Sequence, residues 1–212
     1  MTDASIYRQI FDDSSLVAKI KEKLPELFLL AEHDNSRNGK LGMEVGSARE
    51  RIIIAMLMYK FGEENVNAEL PITSAEVDVI VHDLPLSIKT VSGARLSGVK
   101  LIWTVDPQKA LAFMNEYVPS CDMILTQLNW GGVGHLYLFP QETQTRVLAA
   151  LGRETYIKLP KQGTNPRGVE LSQAALQGLV NDPDTLKIDI DFTRQDLDYN
   201  AYQRWLEYWQ QP

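Results

Sequence analysis

The sequence contains a single cysteine, Cys121, which excludes an internal disulfide and any zinc site built from several cysteines. Cys121 stands beside the apolar run at residues 123–125, which predicts a strand, so we expect a buried thiol with a structural role. No apolar run reaches the roughly 18 residues needed to cross a bilayer. The polar beginning MTDASIYRQIFDD lacks the order of a secretion signal, which favours a cytoplasmic protein without a membrane segment.

The sequence also lacks an excess of positive charge, since 21 Lys and Arg residues face 28 Asp and Glu residues, for a formal net charge of −7. This balance argues against a protein that coats nucleic acid irrespective of its sequence, because that binding depends on neutralising phosphates. A local basic surface is compatible with it. Residues 151–168 carry four basic residues against one acid, so this segment is the candidate contact surface.

Hydrophobic periodicity indicates a mixed α/β chain of one domain, for which 212 residues are an ordinary size. We expect one or two helices over residues 5–32, with Ser14 and Ser15 as N-cap and another turn opening at Pro25. Strands are expected at 66–70, 76–81, 86–91, 99–105, 122–128, 135–139, 156–159 and 186–192. Further helices are expected at 44–61, 106–117, 142–151 and 172–180, with a terminal helix that contains Tyr199, Tyr202, Trp205, Leu206 and Trp209.

The helix predicted over residues 44–61 carries one acid on its apolar stripe. At 100° per residue Glu50 shares that stripe with Ile53, Ile54 and Leu57, so its carboxylate is expected to face the interior. A buried carboxylate has to be paired or to bind a metal, because an isolated buried charge costs several kcal/mol. Glu50 is therefore a candidate metal ligand or a member of a structural ion pair.

The stretch VDVIVHDLPLSIKTV, residues 77–91, predicts two adjacent strands that carry opposite charges. Side chains alternate along a strand, so Asp78 and Glu76 are expected on one face of the first strand, and Ser87 and Lys89 on one face of the second. A carboxylate pair beside a lysine suits phosphodiester hydrolysis, which needs a hard cation such as Mg²⁺, an activated water and positive charge near phosphorus. The pattern therefore predicts a divalent-metal site with Asp78, Glu50 and Glu76 as candidate ligands.

The order of an inward helix acid, Asp78, and then Ser87-Ile88-Lys89 resembles the core of the PD-(D/E)XK nuclease superfamily, the fold of most type II restriction endonucleases. The resemblance implies a mixed central sheet flanked by helices. It assigns Asp78 as the motif aspartate that binds Mg²⁺, Lys89 as the lysine beside the attacking water, and Glu50 as the helix glutamate. It covers roughly residues 44–130, the expected catalytic core, between a helical part at 1–43 and a part for DNA recognition and dimerisation at 131–212.

Ser87 departs from this pattern, because the second acid of the motif is expected at its position. Some restriction endonucleases carry a serine there and recruit a glutamate from elsewhere, in one variant about a dozen residues after the lysine. Here residue 101 is Leu101, and no acid occurs between Lys89 and Asp106. Glu50 is the better replacement, followed by Glu76, and then by Asp106 or Glu116.

Contacts to DNA are expected from polar loops. Arginine, asparagine and glutamine side chains read guanine and adenine edges, whereas lysines suit phosphates. Candidates are Arg37, Asn38 and Lys40 in a loop over residues 33–43, Arg95 in the Gly- and Ser-rich connection at 92–98, and Lys158, Lys161, Gln162, Asn165 and Arg167 in the basic segment.

Three functions are compatible with these patterns. The first is a Mg²⁺-dependent type II restriction endonuclease that acts as a homodimer on a short palindrome in double-stranded DNA, since protein symmetry would match that of the site. The second is a repair or junction nuclease of the same fold, which the negative net charge disfavours. The third is a non-catalytic α/β interaction module in which Glu50, Asp78 and Lys89 form a buried ion-pair network.

Overall fold

The structure, a computed structural model, describes residues 5–37, 40–41, 44–70, 76–160, 168–197 and 199–211. Its helices are α1 (Arg8–Asp12), α2 (Ser14–Asp34), α3 (Val45–Phe61), α4 (Pro107–Glu116), α5 (Gln141–Leu151), α6 (Arg153–Tyr156), α7 (Gln173–Asn181) and α8 (Gln203–Trp209). Its strands are β1 (Ser36–Arg37), β2 (Lys40–Leu41), β3 (Val66–Asn67), β4 (Val79–Val81), β5 (Leu84–Ser92), β6 (Val99–Ile102), β7 (Asp122–Leu128), β8 (Val133–Phe139), β9 (Ile157–Lys158), β10 (Val169–Leu171) and β11 (Leu186–Asp191).

A mixed six-stranded sheet with the order β11-β8-β7-β5-β4-β3 forms the centre of the fold. Strands β5 and β7 are parallel and the other neighbours are antiparallel. The chain between β5 and β7 contains β6 and α4, which provide the long connection that a parallel pair requires. Strands β6, β10 and β9 form a separate small sheet. The predicted mixed sheet flanked by helices is confirmed.

The two faces of the central sheet bury two separate apolar clusters. On one face Leu86 and Ile88 of β5 pack with residues of α1, α2 and α3. On the other face Val91 of β5 and Met123 and Leu125 of β7 pack with residues of α4 to α7. Alternate residues of β5 therefore pack into different clusters. Helix α3, which carries Glu50, packs on the face that Leu86 and Ile88 cover.

Helix α2 differs from the prediction at two places. Asp13, rather than Ser14 or Ser15, caps the helix, and its Oδ1 accepts hydrogen bonds from the backbone N–H groups of Ser15 and Leu16. The helix also continues through Pro25. Buried Phe28 and Leu29 follow Pro25 on the same helix, and their packing offsets the loss of one backbone donor.

Several other helix and strand boundaries differ from the prediction. Residues 76–78 precede β4 instead of belonging to it, so the strand is shorter than its alternating pattern predicts. The chain at Tyr156 is helical, and β9 begins only at Ile157. Helix α8 begins at Gln203, after Tyr199 and Tyr202. Within the described part of the chain, no helix is both long and apolar enough to cross a membrane.

Candidate active site

A two-residue hairpin turn brings Asp78 next to the segment from Leu86 to Lys89. His82 and Asp83 connect β4 to β5 with φ angles of 46° and 65°, the left-handed conformation of a tight turn that matches the twist of the strands. This turn sets the register in which Val79 lies opposite Leu86. The backbone N–H of Asp78, just before β4, also donates to the carbonyl oxygen of Leu86 at 2.9 Å, which holds Asp78 against β5.

Three donors converge on one oxygen of the Asp78 carboxylate. Oδ2 accepts hydrogen bonds from the backbone N–H of Ile88 at 2.6 Å, from Lys89 Nζ at 2.7 Å and from Ser87 Oγ at 3.2 Å. The side chains of Lys89 and Asp78 are 14% and 21% exposed, so this ion pair is shielded but open to one side. No described residue donates a hydrogen bond to Oδ1 of Asp78, and that oxygen remains available to a ligand.

Glu50 reaches the same place from α3. Ile53, Ile54 and Leu57 of this helix are buried, as predicted, and Glu50 itself is half-buried. Burial raises the pKa of Glu50, and the nearby Asp78 carboxylate raises it further, whereas Lys89 acts in the opposite direction. The structure therefore places Glu50 within electrostatic range of Asp78 and Lys89, and the two carboxylates repel each other.

The donor set fits a hard divalent cation. The part of the chain that the structure describes contains no group of three or more His, Cys, Asp or Glu side chains able to hold a metal. Two carboxylates are sufficient for Mg²⁺, which keeps several of its waters and takes few protein ligands. Burial is the main cause of the raised pKa of Glu50, and a cation held by Glu50 and Asp78 would offset the second cause, their mutual repulsion.

Glu76 lies in a different environment from these two acids. Its carboxylate accepts hydrogen bonds from Tyr117 Oη at 2.7 Å, from the backbone N–H of Ser120 at 3.0 Å and from Ser120 Oγ. The expected shared face with Asp78 fails because β4 begins only at Val79. The Glu76 carboxylate thus holds the connection between α4 and β7, and its role as a metal ligand stays a prediction.

Two further acids and the cysteine have local structural roles. Asp106 caps α4, where its Oδ1 accepts from the backbone N–H groups of Gln108 and Lys109. Glu116 ends that helix and is exposed. Cys121 is buried, as predicted, and burial with the nearby Glu76 carboxylate raises its pKa to about 12, so the thiol is unreactive at neutral pH.

The predicted DNA-contacting residues are spread over the chain. Arg95 is exposed beyond the end of β5, and Lys158 in β9 forms an ion pair with Glu170 at 2.9 Å. Arg37 and Lys40 lie opposite each other in the two-residue strands β1 and β2. The remaining candidates lie outside the described residues: Asn38, Lys161, Gln162, Asn165 and Arg167.

A buried polar cluster next to α3 was not predicted. Glu32 and Arg49 are 5% and 4% exposed and form a salt bridge of 2.6 Å. Glu32 also accepts from Trp130 Nε1 at 2.7 Å and from Arg194 Nη2 at 3.0 Å. A signal existed in the sequence, because Glu32 stands at helical spacing from the apolar Phe28 and Leu29.

Comparison with known proteins identifies a protein family and a solved structure similar to this chain. The family model of "Restriction endonuclease ThaI" matches residues 10–211. A solved structure described as "Restriction endonuclease in complex with substrate DNA" is 47% identical in sequence and superimposes with a TM-score of 0.91. The match covers 97% of this chain and 99% of that chain. A search of curated proteins found no match.

Proposed function

The chain belongs to the restriction endonuclease ThaI family, and from this premise we propose that Asp78, Glu50 and Lys89 form the active site of a Mg²⁺-dependent type II restriction endonuclease. The enzyme hydrolyses phosphodiester bonds of double-stranded DNA at a short specific sequence. The observation that supports this active site is the meeting of two carboxylates and one lysine at the β4–β5 hairpin, next to α3. The family assignment favours restriction over repair, and over a non-catalytic module.

Asp78 and Glu50 are the residues that would hold Mg²⁺. When bound, the cation supplies positive charge at the scissile phosphate and lowers the pKa of a bound water. Oδ1 of Asp78 is the oxygen available to it, since Oδ2 already accepts three hydrogen bonds. Ser87 contributes one of those bonds and therefore orients Asp78, which explains how a serine occupies the position of the missing motif acid.

Lys89 has two tasks in this proposal. Its ammonium group is held by Asp78 at 2.7 Å, which fixes it at the open side of the site. From there it can donate hydrogen bonds to a phosphate oxygen and orient the attacking water. The positive charge of Lys89 offsets the negative charge that develops on the phosphate as the bond breaks, and a preorganised charge of this kind stabilises the transition state.

We assign DNA recognition to the polar residues that the sequence predicts as contacts. We assign base contacts to Arg37, Asn38, Gln162, Asn165 and Arg167, because bidentate side chains of these types read base edges. Contacts to phosphates are assigned to Lys40, Arg95, Lys158 and Lys161. Lys158 has to exchange its ion pair with Glu170 for a phosphate, and this exchange is feasible because the lysine side chain is 58% exposed.

Incubation with bacteriophage DNA and Mg²⁺ tests the proposed function. We expect discrete fragments that are absent when EDTA removes the metal, because cleavage needs a cation at Asp78 and Glu50. Gel electrophoresis after a time course distinguishes the possible outcomes. A smear would indicate a less specific nuclease, and DNA that stays intact in several buffers with Mg²⁺ or Mn²⁺ would contradict the assignment.

We propose a homodimer in which α8 contacts a second copy of the chain. Trp205, Leu206 and Trp209 of this helix are 54%, 48% and 88% exposed, an unusual concentration of large apolar surface. A two-fold dimer also suits an enzyme that cuts both strands of a palindromic site. In the proposed dimer, the exposed aromatic side chains of α8 contact the second copy of the chain.

The dimer proposal predicts that Leu206→Asp lowers the solution mass from two chains to one, because a charge would have to be desolvated in the contact. Light scattering after size-exclusion chromatography measures the mass directly. Leu111→Asp is the matched control, since Leu111 of α4 is also 48% exposed and lies away from α8 in sequence. If Leu111→Asp formed a monomer and Leu206→Asp stayed a dimer, the contact would not involve α8. A wild-type protein that is monomeric at micromolar concentration would refute the dimer.

A further inference from the structure

Glu32 joins three segments of the chain that are distant in sequence. Its carboxylate accepts hydrogen bonds from Arg49 on α3, from Trp130 in the turn between β7 and β8, and from Arg194 after β11. Both Glu32 and Arg49 are almost fully buried, whereas the Arg194 side chain is 57% exposed. The buried pair is therefore the centre of this cluster, and Trp130 and Arg194 close it on the outside.

Arg49 connects this centre to both elements of the active site. It precedes Glu50 on α3, and its Nη1 donates to Ser92 Oγ at 3.0 Å. Ser92 ends β5, three residues after Lys89. One guanidinium group thus contacts α2 through Glu32 at 2.6 Å and contacts the strand that carries Lys89. Its planar fork fixes both contacts in one geometry, which a flexible ammonium group would not do.

We propose that Glu32 and Arg49 are positioning residues that set the placement of Glu50 relative to Asp78 and Lys89. Both terminal nitrogens of the Arg49 guanidinium group are held, one by Ser92 and the other by Glu32. Successive residues of an α-helix are rotated by 100°, so fixing Arg49 also fixes the rotation of α3 and its position along the helix axis at Glu50. Buried ion pairs are often replaceable by apolar residues at no cost in stability, which makes stability alone a poor reason for two buried charges. Their geometric constraint on Glu50 provides a reason.

This inference rests on the proposed function, because it concerns the metal ligands assigned there. The main variant is the double replacement Glu32→Gln with Arg49→Met, which removes both buried charges and leaves neither unpaired. We expect kcat for DNA cleavage to fall at least tenfold with little change in KM for DNA, and Arg49→Lys to retain part of the activity. Arg146→Met removes an ion pair of α5 with Asp182 and Asp184 and serves as the control.

A mutant cycle with Glu50→Gln separates positioning from a general structural effect. If the pair acts through Glu50, the double replacement should cause little further loss of kcat in a Glu50→Gln background. Losses that multiply would mean that the pair acts independently of Glu50, and would overturn the inference. Thermal melts of every variant accompany the kinetics, and a loss of kcat that follows the melting temperature across the series, control included, would also overturn it.

A Ca²⁺ titration of the protein–DNA complex by calorimetry provides a readout that needs no cleavage. We expect the affinity for Ca²⁺ to fall about tenfold in the double variant, within the range caused by losing groups that orient metal ligands, and to stay unchanged in Arg146→Met. Unchanged affinity in the double variant would overturn the positioning role. Normal cleavage by Lys89→Ala would instead overturn the proposed active site, so the two failures are distinguishable.

Discussion

Lys89→Ala and Asp78→Asn are each expected to slow DNA cleavage by roughly a hundredfold to a thousandfold while the protein stays folded. Removing one preorganised charge from a site that stabilises a transition state typically costs 10²–10³ in rate, and the charge of Asp78 serves both the cation and Lys89. Because Lys89 is only 14% exposed and pairs with Asp78, thermal melts of both variants check that the fold is kept. Single-turnover cleavage at saturating Mg²⁺ measures the effect.

Asp83→Asn is the matched control for Asp78→Asn. Both aspartates belong to the β4–β5 hairpin, but Asp83 is exposed in the turn, with a φ angle of 65° that asparagine also tolerates. We expect the control to cut DNA at the wild-type rate. Cleavage at a normal rate by Lys89→Ala would contradict the assignment of the hairpin, and loss of cleavage in Asp83→Asn would show that the turn rather than the charge matters.

Glu50→Gln is expected to lower activity and raise stability at the same time. Cleavage should fall by on the order of a hundredfold, because glutamine is a poorer ligand for a hard cation than a carboxylate. The stability gain follows from the raised pKa of Glu50, whose causes are burial and then the Asp78 carboxylate. The folded protein disfavours the ionised form of Glu50, and the neutral glutamine removes this cost.

Because the pKa of Glu50 is raised in the folded protein, the stability gain of Glu50→Gln depends on pH. Below the ordinary Glu pKa of 4.5 the carboxyl is protonated in both folded and unfolded chains, so Glu50→Gln should bring no advantage there. As pH rises from 4.5 to the raised pKa, the unfolded chain loses this proton while the folded chain keeps it, so the advantage of Gln grows; above the raised pKa it stays constant. We therefore expect a higher melting temperature for Glu50→Gln than for the wild type at pH 7.

Thermal melts between pH 4 and pH 8, with and without Mg²⁺, measure this behaviour. Mg²⁺ should raise the melting temperature of the wild type more than that of Glu50→Gln, because a ligand stabilises the state that binds it. Glu69→Gln is a suitable control, since Glu69 is exposed after β3. A melting temperature of Glu50→Gln that is lower than the wild type at pH 7 would contradict the repulsion between Glu50 and Asp78.

The local patterns of the sequence were sufficient for much of the fold. Helix α3 ends at Gly62, Asp106 caps α4, and β7 spans the predicted residues, because capping groups and strand alternation involve close neighbours in the chain. The same alternation placed Ser87 and Lys89 on one face of β5, and the structure joins both to Asp78. The motif resemblance led to the family that the comparisons then identified.

The different surroundings of Glu50 and Glu76 depend on tertiary structure. Glu76 is two residues from Asp78 in the sequence, yet its carboxylate bonds to Tyr117 and Ser120, whereas Glu50 reaches Asp78 from a different helix. The Glu32–Arg49 pair and the exposed aromatic side chains of α8 also depend on how distant segments pack. The sequence by itself determined the elements and the Asp78–Lys89 hairpin, because hydrogen bonds and side-chain alternation act over a few residues. Packing of α2, α3 and the sheet decided which acids meet, because contacts between distant segments form only when their apolar faces are buried together.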